Sequence, residues 1–414
     1  QEMNRLIIAS KTYFHWVKFY YLTQGIINFV NTKILIHLIK VIKRIIPDSI
    51  KRFIKKNILL YFQSPNSKVS AKILREWGNS SFTRTDSCTD ILIFGITSWD
   101  YRFQRPQHLA LGLAELGHRI FYIESEFSSD SASISVTKIQ DNVYKIKLYS
   151  SKNYFIYGDR PTQQDISRMF ESLKVILRES HAINIVAKVD HPFWTPLIER
   201  LNIPVIYDCM DEHIGFKETG NHAEASENRL LTTADLVLAS SDRLFQKVSK
   251  SKPKKILMLK NAGEYLHFKK ASELKLRQTP KDIQHLQTPI LGYYGAVADW
   301  LDSNIIKQLA ISFPKASIVI IGRVQSEQIL ELAEKYSNIH CLGEKPYLQL
   351  PKYLAAFDVC LIPFKINRLI KATNPVKIYE YFASGKPVVA TNIPELEVYH
   401  SILKLAEGPQ AFDM

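Results

Sequence analysis

Short apolar runs alternate with helix-period stretches along most of the chain. Ile91–Ile96 is almost continuously apolar, the pattern of a strand buried on both faces. Pro106 opens a stretch in which Leu109, Leu113 and Leu116 share one helical face, and Gly117 stands where a helix stop belongs. Ile120–Ile123 follows as the next strand and completes a βαβ unit. Further strands are predicted near 183–189, 203–208, 235–239 and 256–260, with helical stretches between them and extra strands or a loop over 130–150. A second run begins at Pro289. Its strands are predicted at 290–296, 317–322, 338–342, 359–363 and 387–391, and its helices over 302–313, 326–336, 347–357 and 375–384. The polar, lysine-rich stretch from Tyr265 to Thr288 separates the runs as a connector and hinge. This alternation predicts an α/β protein of two Rossmann-like parallel-sheet domains that face a cleft, with ligands beyond the carboxyl ends of the strands. The expected limits are 86–262 for the first domain and 263–414 for the second.

Residues 1–85 read differently, as a basic amphipathic helical segment. From 33 to 46, Lys33, His37, Lys40 and Arg44 recur every three or four residues among Ile and Leu, and Pro47 breaks the pattern. From Ile50 to Phe62 the scheme repeats, with Asp48 or Ser49 as a cap. The longest uncharged run, Phe19 to Thr32, is shorter than the ~18–20 apolar residues of a spanning helix. No apolar core with a small-residue cleavage site marks a signal peptide. Two readings fit residues 13–62: helices lying on an anionic membrane surface, or a helical pair packed on the body with solvated lysines. The wide apolar face and the single sign of charge favour the membrane.

Charge sharpens that contrast. The 414 residues carry a formal +14, and the first 76 hold fourteen Lys/Arg against three Asp/Glu, so +11 of it lies there. A near-neutral body with a basic head is not a uniformly basic nucleic-acid binder, and no nucleic-acid motif accompanies the lysines. Cys88, Cys209, Cys341 and Cys360 are far apart, with no C-x-x-C, which argues against a disulfide scaffold or zinc site and fits a reducing cytoplasm. Neither G-x-G-x-x-G nor a P-loop follows the first strand of either run, which disfavours a dehydrogenase or an NTPase. The chain begins on Gln and stops where a further helix is expected, so a longer natural chain is expected.

The segment from Asn374 to Ala390 carries the most chemistry. Asn374 suits an N-cap and Pro375 the first helical position. Unsatisfied N–H groups at a helix start make a site for a diphosphate. Lys377 in the first turn neutralises phosphate, and Glu380, three residues on, can accept both hydroxyls of a ribose. The same spacing also fits an ordinary capped helix with an i,i+3 ion pair.

This segment resembles the donor-binding helix of GT-B glycosyltransferases, in particular the retaining family four that includes sucrose synthase and bacterial mannosyltransferases. Other places agree in order. Trp99-Asp-Tyr-Arg-Phe-Gln-Arg-Pro-Gln-His-Leu-Ala110 resembles the branch that builds bacterial surface polysaccharides. Val205-Ile-Tyr-Asp-Cys-Met-Asp211 is similar to its acceptor-side strand end. Asn261-Ala-Gly-Glu264 with Phe268 resembles the N-G-x-D-x-x-x-F turn between the domains, with Ala and Glu at the Gly and Asp places. Gly292-Tyr-Tyr-Gly295, Asn338–Gly343, Tyr347 and Leu350-Pro351 also match, and the likeness runs over roughly residues 90–406.

The resemblance implies transfer of a sugar, with retention, from a nucleotide-sugar donor on the second domain to an acceptor on the first. The acceptor is expected to be a glycan or lipid-linked, and the place the cytoplasmic face of the plasma membrane. No cofactor or metal is implied, because helix-end amides and a basic side chain stabilise the departing diphosphate. By position, Glu380 holds the ribose, Lys377 and the amides after Asn374 the diphosphate, and Gly295 lets the phosphate approach the backbone. Two departures stand out. Ala372 occupies the place of the family's other glutamate, and Ala296–Asp302 lacks the usual Arg and Lys. Arg323 is the best substitute for their charge, or else a surface arginine. Acceptor-side candidates are Arg102, Arg105, His191, Asp208 and Asp211. Asp211 fits three roles: orienting a sugar hydroxyl, receiving a proton, or capping the next segment. For His191 two readings stand, a bond to a donor-sugar hydroxyl or a structural histidine. For Arg105 the readings are an acceptor phosphate or a pair with Glu124 or Glu126. The rival functions are a nucleotide-sugar 2-epimerase on the same fold and a non-catalytic membrane scaffold, the latter favoured by Ala372.

Overall fold

The computed structural model describes residues 88–413, apart from 129–133, 217–218, 221 and 275–277. The amphipathic pattern at 13–62 lies outside the described residues. Among the described residues no helix is long and apolar enough to cross a membrane.

Among the same residues two sheets form. Strands β1 (Asp90–Phe94), β2 (Arg119–Ile123), β3 (Ser135–Gln140), β4 (Val143–Lys147), β5 (Ile185–Val189), β6 (Val205–Cys209), β7 (Leu236–Ala239) and β8 (Ile256–Met258) stand in the order β3-β4-β2-β1-β5-β6-β7-β8. Strands β9 (Ile290–Tyr294), β10 (Ser317–Ile321), β11 (Ile339–Gly343), β12 (Val359–Ile362), β13 (Val388–Thr391) and β14 (Lys404–Ala406) stand in the order β11-β10-β9-β12-β13-β14. Both are the doubly wound α/β arrangement that the alternating pattern predicts. The described residues divide into two compact units. One holds those up to Ile206 with Gly220–Leu230, and the other holds Tyr207–Thr219 with those from Leu231 onward.

The central strands β1, β9 and β10 are buried at every position, as parallel strands covered on both faces must be. β3 runs antiparallel to β4 at a sheet edge, and its exposed polar side chains follow from that place. Of the 130–150 region, residues 135–140 and 143–147 supply extra strands. Helix Arg105–Glu115 starts at Pro106 in a capping box between Gln104 and Gln107, and Gly117 ends it at φ +90°.

Two elements differ from expectation. The segment 265–288 is not a plain connector, since it contains helices Tyr265–Glu273 and Lys281–Gln284. His267, Phe268 and Ala271 form a narrow buried stripe there, hidden in the sequence among lysines. The 347–357 stretch splits into a 3₁₀ turn, Tyr347–Gln349, and helix Leu350–Ala356, because Pro351 fits only a first helical turn.

Core packing in the second unit requires the absence of a side chain at Gly292. A Cβ there would lie 2.2 Å from the Phe357 ring, itself fully buried. Gly292→Ala is therefore expected to cost on the order of 1–3 kcal/mol by overpacking. Urea unfolding checks this; an unchanged midpoint would contradict the packing.

Candidate functional site

Parallel strands β9 and β10 lie side by side, and each is followed by a glycine with left-handed backbone, Gly295 (φ +136°) and Gly322 (φ +143°). The Gly295 N–H donates to the Ile321 carbonyl at 2.8 Å. A Cβ on Gly322 would fall 1.9 Å from the Gly295 oxygen, and one on Gly295 would fall 2.3 Å from Lys377 Cε and 2.6 Å from Nζ. Only glycines let these backbones and the lysine head meet. Lys377 comes from the first turn of helix Val376–Ala383, and its Nζ lies 5.6 Å from the centroid of the Tyr293 ring. A fixed cation thus faces bare backbone at the carboxyl edge of a parallel sheet, where such folds place ligands.

Glu380, one turn further along that helix, is 7 % exposed. Its Oε2 accepts a hydrogen bond from the Tyr294 hydroxyl at 2.8 Å. Loss of hydration pushes its carboxyl above the usual range, against the opposing pull of Lys377 and the Tyr294 hydroxyl. The turn at Gly263 packs under it, and a Cβ there would meet the Glu380 amide at 3.1 Å.

Asn374 does not cap the helix. Pro375 takes the cap position, with no side-chain cap hydrogen bond from it. The Asn374 Nδ2 donates instead to Glu395 Oε2 at 3.0 Å, and its Oδ1 accepts from the Tyr379 hydroxyl at 3.1 Å. Its carbonyl accepts from Asn261 Nδ2 at 2.7 Å. Glu395 is buried and draws donors to itself, among them the Asp242 amide and the Lys260 ammonium. A buried carboxylate without donors costs more than a helix without a side-chain cap, so the asparagine turns to the acid.

Arg323 follows Gly322 and is exposed, and its carbonyl accepts from the Val297 amide. Ala372 is buried, and its carbonyl accepts from the Ser241 hydroxyl at 2.6 Å. Asp208 is fully buried in β6, whereas Asp211, just beyond that strand, is partly exposed. Next to it, Glu212 is ion-paired with Lys247 at 2.9 Å and with Arg368 at 3.2 Å.

In the first unit, His191 follows β5 and is buried. Its Nδ1 accepts from the Phe193 amide at 3.1 Å, and its ring lies edge-on to Tyr157. β5 pairs with β1 in parallel, so the loop holding Arg102 and Arg105 leaves the same sheet edge. The Arg102 guanidinium lies 4.8 Å over the Tyr101 ring, and Arg105 begins the helix after Gln104. Glu124 accepts from the Trp99 amide at 3.1 Å, and Glu126 is ion-paired with Lys147.

The structure thus brings Gly295, Lys377, Glu380, Asn374 and Pro375 together on one edge, with Arg323 beside Gly322. Sequence reasoning missed Gly322, Tyr294 and Glu395. The first had a signal, a glycine after β10 matching Gly295 after β9; the others stand in an apolar strand and in a distant turn.

Residues 289–408 match the family model for glycosyl transferases group 1. The chain has the GT-B fold, and the stretch that matches the family model spans its second sheet. All of Gly295, Gly322, Arg323, Lys377, Glu380 and Glu395 lie within that matched stretch. Over 228 residues the chain is 27% identical to a putative teichuronic acid biosynthesis glycosyltransferase of Bacillus subtilis (strain 168). That match covers 50% of this chain and 56% of the relative, little more than half its length. Among solved structures, sucrose-phosphate synthase from Thermosynechococcus elongatus superimposes with TM-score 0.59 at 13% identity, over 78% of this chain and 88% of the other. An α,α-trehalose 6-phosphate synthase from Burkholderia multivorans gives 0.57 at 12% identity, over 79% and 88%. A trehalose-6-phosphate protein from E. coli, bound with UDP-2-fluoro glucose, gives 0.54 at 11% identity, over 77% and 88%. These likenesses are of fold.

Glu380 holds its proton more tightly folded than unfolded. The stability it contributes is whole below the unfolded value near 4.5 and is lost as pH rises through the folded value. Glu380→Gln keeps an acceptor for Tyr294 and removes that loss. In urea the variant is expected to be at least as stable as the parent at pH 8, with its relative advantage shrinking toward pH 4.5. A variant equally destabilised at both pH values would contradict the assignment.

Proposed function

We propose that this chain moves a sugar from a nucleotide-sugar donor to a glycan or lipid-linked acceptor, with retention, in the synthesis of a surface polysaccharide. The observation that carries the reading is the Lys377 ammonium held against Gly295 beside an uncapped helix start, one turn from the buried Glu380. The donor's diphosphate lies on the helix amides and Lys377, with Arg323 nearby, and its ribose hydroxyls donate to Glu380. As the bond from sugar to diphosphate breaks, charge grows on the leaving oxygen, and fixed donors there lower the barrier. The reading calls for no metal ion. The UDP-2-fluoro glucose on a protein of like fold, and the teichuronic acid role given to the Bacillus relative, support the donor class and the polymer.

Asp211, Asp208, His191, Arg102 and Arg105 are the acceptor-side groups of this reading: His191, Asp208 and Asp211 stand at or just beyond the carboxyl ends of β5 and β6, and Arg102 and Arg105 in the loop and helix start that follow β1. The basic residues 13–62 hold the enzyme peripherally on the anionic inner face of the plasma membrane, near a lipid-linked acceptor. One observation favours a non-catalytic scaffold: Ala372 has no group for a sugar hydroxyl.

Release of nucleoside diphosphate from a panel of nucleotide sugars separates the readings. The full chain, with anionic vesicles and a lipid-linked glycan, is expected to turn over at least one donor. Lys377→Ala is expected to lose ~10²-fold in kcat/KM, the usual loss for a removed transition-state donor. Neither turnover nor a donor-dependent rise in Tm with any member of the panel would leave the scaffold standing.

A further inference from the structure

The carboxylate assigned to the ribose is itself held from below by the tyrosine ending β9. The Tyr294 ring is parallel to Phe268 (3° between planes, centroids 6.2 Å apart) and edge-on to Tyr381 (85°, 5.1 Å). Its backbone N–H donates to the Tyr381 hydroxyl at 3.4 Å. Phe268, Tyr294 and Tyr381 are almost wholly buried. Packed between these rings, the phenol places its hydroxyl 2.8 Å from Glu380 Oε2. One carboxylate oxygen is thereby committed to the protein, which fixes the plane in which the other presents its lone pairs.

We propose that Tyr294 is the positioning residue of the donor site, orienting Glu380 so that the site selects ribonucleotide over deoxyribonucleotide donors. This rests on the donor reading above. A buried carboxylate accepts from hydroxyls most strongly when it is charged and cannot swing. Tyr294 supplies both conditions, because a hydrogen bond to a charged acceptor lowers the cost of keeping it ionised. A site with such a buried acceptor strongly rejects a ligand lacking the matching hydroxyl.

The groups that bear on Glu380 come from several elements. Lys377 on its own helix favours the charged form, as does Tyr294 from β9. Glu264, before helix Tyr265–Glu273, opposes it. The phenols of Tyr381 and Tyr347 also feel its charge, and Tyr347 donates to Glu264 at 3.0 Å. Burial dominates them and raises the carboxyl's titration. Removing the Tyr294 hydroxyl raises it further.

Calorimetric titration of the full chain with UDP, GDP and ADP, then with the 2′- and 3′-deoxy forms of the best binder, tests this across pH 5–9. The parent is expected to prefer the ribonucleotide at pH 8 and to lose that preference as pH falls through the Glu380 titration. Tyr294→Phe, folded with the parent's Tm, is expected to bind the ribonucleotide about tenfold to a hundredfold more weakly, the scale of a hydrogen bond to a charged group. Its affinity for the deoxy forms stays at the parent level, and its pH midpoint moves upward. In a Glu380→Gln background, Tyr294→Phe has no further effect. Equal loss for ribo and deoxy forms, or an unmoved midpoint, overturns the proposal while the donor site stands. Should Tyr294→Phe not fold, a pH-independent preference in the parent overturns it as well. A parent that binds none of the three diphosphates removes the donor reading, and this proposal with it.

Discussion

Contact between Lys377 and Gly295 sets the terms for the rest of the second unit. An ammonium can rest on a backbone only where no side chain intervenes, and Gly295 meets that condition at a φ few other residues adopt. Gly322, on the adjacent strand, must be bare for the same reason, since the Gly295 carbonyl occupies the space of its Cβ. The helix that carries Lys377 must start level with these strand ends, and it packs there through Ile378 and Tyr381. Strand register, glycine placement and helix position thus form one constraint, and the position of the cation follows from it.

The helix start is held from the other side by polar groups. Glu395 gathers Asn374, Lys260 and the Asp242 amide, while Asn261 ties the Asn374 carbonyl. Each donor answers a buried acceptor that would otherwise be costly. The network also explains why the first amides have no side-chain cap: the residue best suited to the task is engaged elsewhere. Structural economy and a helix start without a side-chain cap here have the same cause.

Much of this was legible in the sequence, for physical reasons. Ile91–Ile96 and Pro289–Tyr294 are apolar at successive positions because the strands are covered on both faces, so periodicity finds them. Pro106, Gly117 and Gly385 mark helix ends through backbone restrictions local to each residue. Lys377 and Glu380 could be placed on one helix face by spacing alone. What spacing could not show was partner choice across the chain. Asn374 looks like a cap until Glu395, twenty-one residues away, is known to need a donor. Tyr294 looks like any core aromatic until the helix register puts Glu380 over its hydroxyl. Helix Tyr265–Glu273 was masked because Phe268 buries deeply while its neighbours Lys269 and Lys270 stay in water.

The central claim is that the glycine-lined edge of the second sheet receives a nucleotide diphosphate. The most direct measurement is a crystal structure of the protein grown with the nucleoside diphosphate it binds best. The account predicts the terminal phosphate beside Lys377 Nζ and the bare Gly295 backbone, with the ribose hydroxyls on Glu380. A nucleotide bound at any other place, with this edge left to solvent, would contradict it.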